Sequence, residues 1–281
     1  MAEQLSNKSN AASSTDEAEM SFWEHLEELR SHVVRSAIAV VVLALIAFIN
    51  RKFIFDGIIL APNDPNFITN RVFCWIGKLV GMDSLCNQGV KIKIINYSMS
   101  GQFTTHLYIS IIAGIILAIP YLVWEIWRFL KPALKENERN SSRAAVFVIS
   151  FLFLLGVLFG YYLIVPLTVN FFGSYQVSEL VENNISLASF ISTVVTSTFA
   201  SGILFLLPVF VYFLTKVGIL TPEFLRKTRK YTIVIILFLA AVITPPDVVS
   251  QIIVSIPLYG LFELSIWVAS RAIKKTKEAK A

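Results

Sequence analysis

Residues 144–169 read AAVFVISFLFLLGVLFGYYLIVPLTV, with no charged side chain anywhere in the stretch. A helix rises about 1.5 Å per residue, so about 20 such residues cross a hydrocarbon core roughly 30 Å thick. A buried strand ends after about 4–8 residues. A strand of a membrane barrel alternates apolar and polar positions over about 10. This stretch does neither, and it reads as a membrane-spanning helix.

Working outward, apolar runs recur at about 33–49, 103–127, 187–214, 231–243 and 248–268. The expected fold is therefore all-α, a polytopic membrane protein with six transmembrane helices. Composition agrees: of 281 residues, 56% are hydrophobic and 15% charged, with a mean hydropathy of +0.68. A soluble domain carries about 25% charged residues, and a water-exposed surface this apolar would not stay dispersed. The 231–243 run is short. It stops at Thr244-Pro245-Pro246-Asp247, roughly 20 Å from its start, where two prolines forbid a straight continuation. Pro120, Pro166, Pro208 and Pro257 lie inside or beside other spans and predict kinked helices.

Basic residues set the expected orientation. Lys131, Lys135, Arg139 and Arg143 fill one connection, and Lys216, Arg226, Lys227, Arg229 and Lys230 another. Arg271, Lys274, Lys275, Lys277 and Lys280 follow the last run, whereas 170–186 and 244–247 contain neither Lys nor Arg. The positive-inside rule then places both termini and the two basic connections in the cytoplasm. The first outer loop, about 50–102, also carries basic residues, but long loops weigh less. Three parts are expected: a disordered, dispensable tail over 1–20, a membrane domain over 21–272, and a basic cytoplasmic tail over 273–281. The outer loop holds Cys74 and Cys86, the only two cysteines. Outside the cytoplasm such a pair can form a disulfide, and the alternative is two buried thiols.

Little in the spans carries chemistry. There is no Gly-x4-Gly-Lys-Ser/Thr phosphate loop, no metal spacing and no Gly-x-Ser-x-Gly elbow, so neither an enzyme nor a cofactor is expected. Glu125, Arg128 and Glu263 sit near cytoplasmic ends, where long side chains reach out to water, and no carboxylate is expected mid-membrane to couple an ion gradient. The basic residues bracket spans, which points to lipid and topology and not to nucleic acid.

Two acidic clusters remain, both on the expected cytoplasmic side. Ser21-Phe22-Trp23-Glu24-His25-Leu26-Glu27-Glu28-Leu29-Arg30 opens with a capping box, Ser21 and Glu24. Phe22, Leu26, Leu29 and Val33 form its apolar stripe, and Glu24, Glu27, Glu28 and Ser31 face away, as in an interfacial amphipathic helix. Glu136 and Glu138 precede the third span. Carboxylates at helix starts favour the dipole, and that structural role accounts for both pairs. Together they also suit a guanidinium ligand, which pairs bidentately with carboxylates.

The motif His25-Leu26-Glu27-Glu28-Leu29-Arg30 resembles the start of the TatC family, receptor subunits of the twin-arginine protein translocase. Further similarities follow in order: Ala61-Pro62; Trp127-Arg128-Phe129-Leu130-Lys131-Pro132-Ala133-Leu134 with Glu138-Arg139; Pro222-Glu223-x-Leu225-Arg226-Lys227; Thr244-Pro245-Pro246-Asp247-x-x-Ser250-Gln251; and Ile256-Pro257-x-Tyr259-x-Leu261-Phe262-Glu263. The resemblance implies a concave, glove-like bundle with two short C-terminal helices in the inner membrane. It implies binding of the twin-arginine signal peptides of folded cargo, with export driven by the proton-motive force. By the same resemblance, Glu28 and Glu138 contact the signal peptide, and Arg30, Phe129 and Pro132 flank that surface. Pro62 is implied to be functional in the outer loop. Thr244, Asp247 and Gln251 mark a polar patch where single-span TatA and TatB partners dock, in an assembly expected to hold several copies of this chain. The sequence departs from the family at Leu206, where some relatives carry Glu or Gln, in an expanded outer loop between Pro62 and Gln102, and at Arg139-Asn140, which replaces paired basic residues.

Overall fold

A computed structural model describes residues 22–81, 92–130, 142–178, 180 and 183–278. The tail over 1–20, Ser21, Cys86, Pro132, Glu136 and Glu138 lie outside the described residues.

Helix α1 spans Phe22–Ile49. No glycine or proline interrupts it, so the segment expected as a separate interfacial helix is the opening of one 28-residue helix. A single π-type turn, Phe53–Ile59, and a 3-10 turn, Ala61–Asn63, lead into α2, Ile68–Val80. After β1, Lys93–Ile95, comes α3, Gly101–Leu130, antiparallel to α1. Next are α4, Ser142–Phe159, a π-type turn over Gly160–Ile164, and α5, Val165–Ser174. Strand β2, Asn184–Ser186, pairs in parallel with β1 in the register Lys93↔Asn184 and Ile95↔Ser186. The remaining helices are α6, Leu187–Leu204; α7, Leu207–Val217; α8, Pro222–Lys227; α9, Arg229–Ile243; and α10, Val248–Glu278.

Among the described residues, five segments are long and apolar enough to cross a membrane: Glu27–Ile49, Gly101–Phe129, Ala145–Ser174, Leu187–Val217 and Val248–Arg271. The remaining expected span, α9, has 15 residues and a length of about 22 Å, as its proline stop predicts. The last helix is not short, which corrects the expectation of two short C-terminal helices. Past Asp247 no breaker except Pro257 intervenes, and α10 runs for 31 residues into the segment expected as a tail.

Pro208 occupies the first turn of α7, where a missing N–H leaves no intrahelical bond unmade. Pro166 follows directly on the π turn within one continuous helical span, and the Tyr162 carbonyl four residues before it accepts from the Thr69 hydroxyl. Pro120 and Pro257 sit inside helices that continue through them.

Bundle packing rests on small residues, as bilayer interiors require. A Cβ on Gly156 would lie 2.6 Å from the Ser201 carbonyl oxygen, and one on Gly160 2.8 Å from that of Ser197. Only glycine lets α4 and its π turn approach α6 this closely. That turn also receives the segment between α1 and α3: the Tyr161 hydroxyl donates to the Ile58 carbonyl at 2.6 Å, and Thr69 donates to the Tyr162 carbonyl. One buried cluster joins Ile109, Val165, Ile191 and Val194; a second joins Phe205, Leu225, Ile236, Val254 and Leu258. Outward, α1 and α9 present Val33, Ile38, Val41, Leu45, Val234, Phe238 and Val242. In water such rows would be a liability; against lipid they are matched to their solvent.

Candidate functional site

Helix periodicity aligns Glu28, His32 and Arg35 on one side of α1. The structure turns that side toward the end of α3, while Leu29 and Val33 are exposed on the other. Among the described residues, Glu27, Glu28 and Ser31 share one face and Leu29 and Val33 the other, and the polar face looks into the protein. There Glu27, Glu28, Ser31, His32, Arg35 and Arg128 line an open cavity of about 390 Å³.

Three side chains brace its wall. The His32 imidazole contacts a carboxylate oxygen of Glu125 through Nδ1. The Tyr121 hydroxyl donates to the other oxygen of Glu125 at 2.7 Å. Glu125 is only 1% exposed, which corrects the expectation that it reaches out to water. Four residues C-terminal to Tyr121 on the same helix, it is close enough to the long α1 face to bond inward, and a carboxylate satisfied by two donors tolerates burial. Phe129 meets the His32 ring edge-on, with centroids 6.0 Å apart. Arg128 lies over the Trp124 ring at 5.6 Å.

Glu28 is placed differently. Its Oε1 lies 4.0 Å from His32 Nε2, its side chain is 35% exposed, and its Oε2 is enclosed with no hydrogen-bond partner among the described residues. Among the described residues, His32 Nε2 is the one side-chain nitrogen of a basic residue within 4.0 Å of its carboxylate. An acceptor left without a donor costs about 1–3 kcal/mol, a deficit that an incoming donor relieves. Arg30, two residues from Glu28, is exposed and does not line this cavity. The structure thus brings Glu28 and Phe129 together through His32 and leaves Arg30 on another face. His32 and Glu125 were missed as site residues. The available signals were the four-residue spacing from Glu28 to His32 and a carboxylate inside an apolar run.

At the far end of α9, Thr244, Asp247 and Gln251 form a compact turn. The Thr244 hydroxyl donates to the Ala240 carbonyl at 2.8 Å. Asp247 accepts from the Ser250 N–H at 2.8 Å and its hydroxyl at 2.9 Å, capping α10. Burial alone would raise the Asp247 pKa, but the donors on Ser250 and the Val249 N–H outweigh it and hold the carboxyl below its ordinary value. Gln251 reaches across to donate to the Leu237 carbonyl at 2.9 Å. Pro62 is buried in the 3-10 turn of the outer loop. Cys74, in α2, is disulfide-bonded; the other cysteine, Cys86, is outside the described residues. No group of three or more His, Cys, Asp or Glu suited to a metal occurs among the described residues.

Comparison with known proteins places this architecture. Residues 24–257 match the family model described as Sec-independent protein translocase protein (TatC). The chain is 40% identical over 259 residues to the TatC protein of Blattabacterium sp. subsp. Periplaneta americana, covering 92% of this chain and 97% of the relative. It is 34% identical to that of Carboxydothermus hydrogenoformans, covering 89% and 93%. A crystal structure of the twin-arginine translocase receptor TatC superposes with a TM-score of 0.64 at 32% identity, over 89% of this chain and all of the other. Matched in sequence and fold over most of its length, the chain belongs to the TatC family and is a multi-pass membrane component of a protein translocase, not an enzyme.

Proposed function

We propose that this chain is the signal-peptide receptor of a twin-arginine translocase, and that Glu28 takes a guanidinium of the paired arginines. The observation that carries this reading is the enclosed Oε2 of Glu28, without a hydrogen-bond partner among the described residues, beside an open polar cavity. A guanidinium offers five planar N–H donors to such an acceptor. Glu138 and Pro132 complete the surface from the connection after α3, and Phe129 supports it.

The rest of the machine follows from charge and length. Both termini and the basic connections face the cytoplasm, because Lys216, Arg226, Lys227, Arg229 and Lys230 cluster at the Glu28 end. Helix α9 is a sixth, short span around which the bilayer thins, within a concave bundle in the inner membrane. TatA- or TatB-type single-span partners dock near Thr244, Asp247 and Gln251, several copies of the chain assemble, and the proton-motive force drives export of folded cargo. Cys86 is the disulfide partner of Cys74.

Equilibrium binding of a paired-arginine peptide to the detergent-purified chain tests the central step. Hydrogen bonds to charged groups contribute about 1.5–3 kcal/mol, so Glu28→Gln weakens binding by about tenfold or more. Glu27→Gln has a much smaller effect. Equal, small effects from both substitutions would refute the assignment.

A further inference from the structure

We infer that His32 is a second acceptor for the guanidinium, held in place by Glu125 and Tyr121, and that it makes the cavity prefer arginine to lysine. The inference rests on the receptor reading above and adds a specificity-determining residue to it.

The geometry supplies the argument. Both oxygens of Glu125 are engaged, one by the Tyr121 hydroxyl and one by His32 Nδ1. When Nδ1 carries the proton, neutral imidazole presents a lone pair at Nε2. That nitrogen faces Glu28 Oε1 at 4.0 Å. The pair therefore offers two acceptors from different groups, one charged and one neutral, on the same wall. The His32 ring is 7% exposed and rests against Phe129, so its direction is fixed by burial as well as by hydrogen bonding.

The two cations should exploit such a wall unequally. An ammonium is a compact point charge, and most of its attraction is to the Glu28 carboxylate. A guanidinium carries donors in a fixed plane and gains from each correctly directed acceptor, charged or not. A neutral nitrogen beside the carboxylate thus adds direction without adding charge. Among the described residues, the charged or titratable groups around His32 are Glu27, Glu28 and Arg35 on α1, and Tyr121, Glu125 and Arg128 on α3. Gain of a second proton by the imidazole would turn Nε2 into a donor and remove the acceptor.

The test measures affinities of a paired-arginine peptide and its paired-lysine counterpart for the full chain in detergent. In the unmodified protein the arginine preference is expected at about tenfold or more. The double variant His32→Phe/Glu125→Gln keeps a ring against Phe129 and removes the buried charge; its preference is expected to drop to near parity. Glu125→Gln alone retains an acceptor for Nδ1–H and is expected to keep the preference. A preference that survives in the double variant overturns the inference. If Glu28→Gln still abolishes arginine-peptide binding in that case, the receptor reading stands without it. If Glu28→Gln changes nothing, both fall.

Discussion

The two cavities at opposite ends of α3 differ in the reverse order of their size. The larger, about 560 Å³, lies near β2 and is lined by neutral groups such as Tyr97, Thr168, Tyr175, Asn184 and Thr193. The smaller, about 390 Å³, carries Glu27, Glu28, Arg35 and Arg128. Neutral hydroxyls and amides make modest hydrogen bonds with any polar ligand, whereas charge-assisted bonds are roughly twice as strong and select by sign. Volume alone would choose the neutral end. A third polar region, the Thr244–Gln251 turn, sharpens the contrast, because the polar groups of Thr244, Asp247 and Gln251 named above are satisfied within the fold. Among the described residues, only Glu28 combines charge, partial exposure and an oxygen without a hydrogen-bond partner.

The largest expected effect comes from breaking the brace behind the smaller cavity. His32→Leu leaves the Glu125 carboxylate buried with one donor fewer. Removing one member of a buried pair costs about 3–5 kcal/mol, visible as a lower unfolding midpoint in detergent. Glu125→Gln, which keeps an acceptor for His32 Nδ1–H and turns its amide N–H toward the Tyr121 hydroxyl oxygen, should cost far less. Were both substitutions harmless to stability, the brace would be incidental.

A smaller effect is expected at the outer turn. Asp247→Ala removes the cap of α10 and costs about 1 kcal/mol, while Asp247→Asn preserves most of it. The pH dependence has a definite sign. The folded carboxyl titrates below its ordinary value, so its contribution is present in full above the unfolded aspartate pKa. It is lost as pH falls through the lower, folded value. Asp247→Asn should flatten that acid limb, and an unchanged limb would contradict the capping role. Gln251→Leu, which deletes one bond to the Leu237 carbonyl, should cost about 1 kcal/mol or less by the same assay. Smallest of all, Tyr175→Phe in the neutral cavity should leave paired-arginine peptide affinity unchanged.

The spans were legible because lipid enforces long uncharged runs, as at residues 144–169, and the double proline after Thr244 announced the short α9. Glu28 was legible only through the family motif, since Glu27 beside it carries the same chemistry. The brace was not legible. His32 and Glu125 are 93 positions apart, and a carboxylate near a span end looks the same in sequence whether it turns to water or into the bundle. The β1–β2 pair was hidden for the same reason: Lys93 and Asn184 meet across two helical connections, and three-residue strands leave no alternation to read. The π turn at Gly160–Ile164 depends on the docked outer loop through Tyr161 and Thr69, a contact no local pattern encodes.

The most direct test of where the paired arginines sit is site-specific cross-linking. A peptide bearing a thiol-reactive group beside its arginines is offered to Ser31→Cys, in the charged cavity, and to Thr193→Cys, in the neutral one. Cross-linking at Ser31→Cys that competes with unlabelled arginine peptide, and not at Thr193→Cys, is the predicted result. Reaction at Thr193→Cys with none at Ser31→Cys would contradict the assignment of the Glu28 cavity as the receptor site.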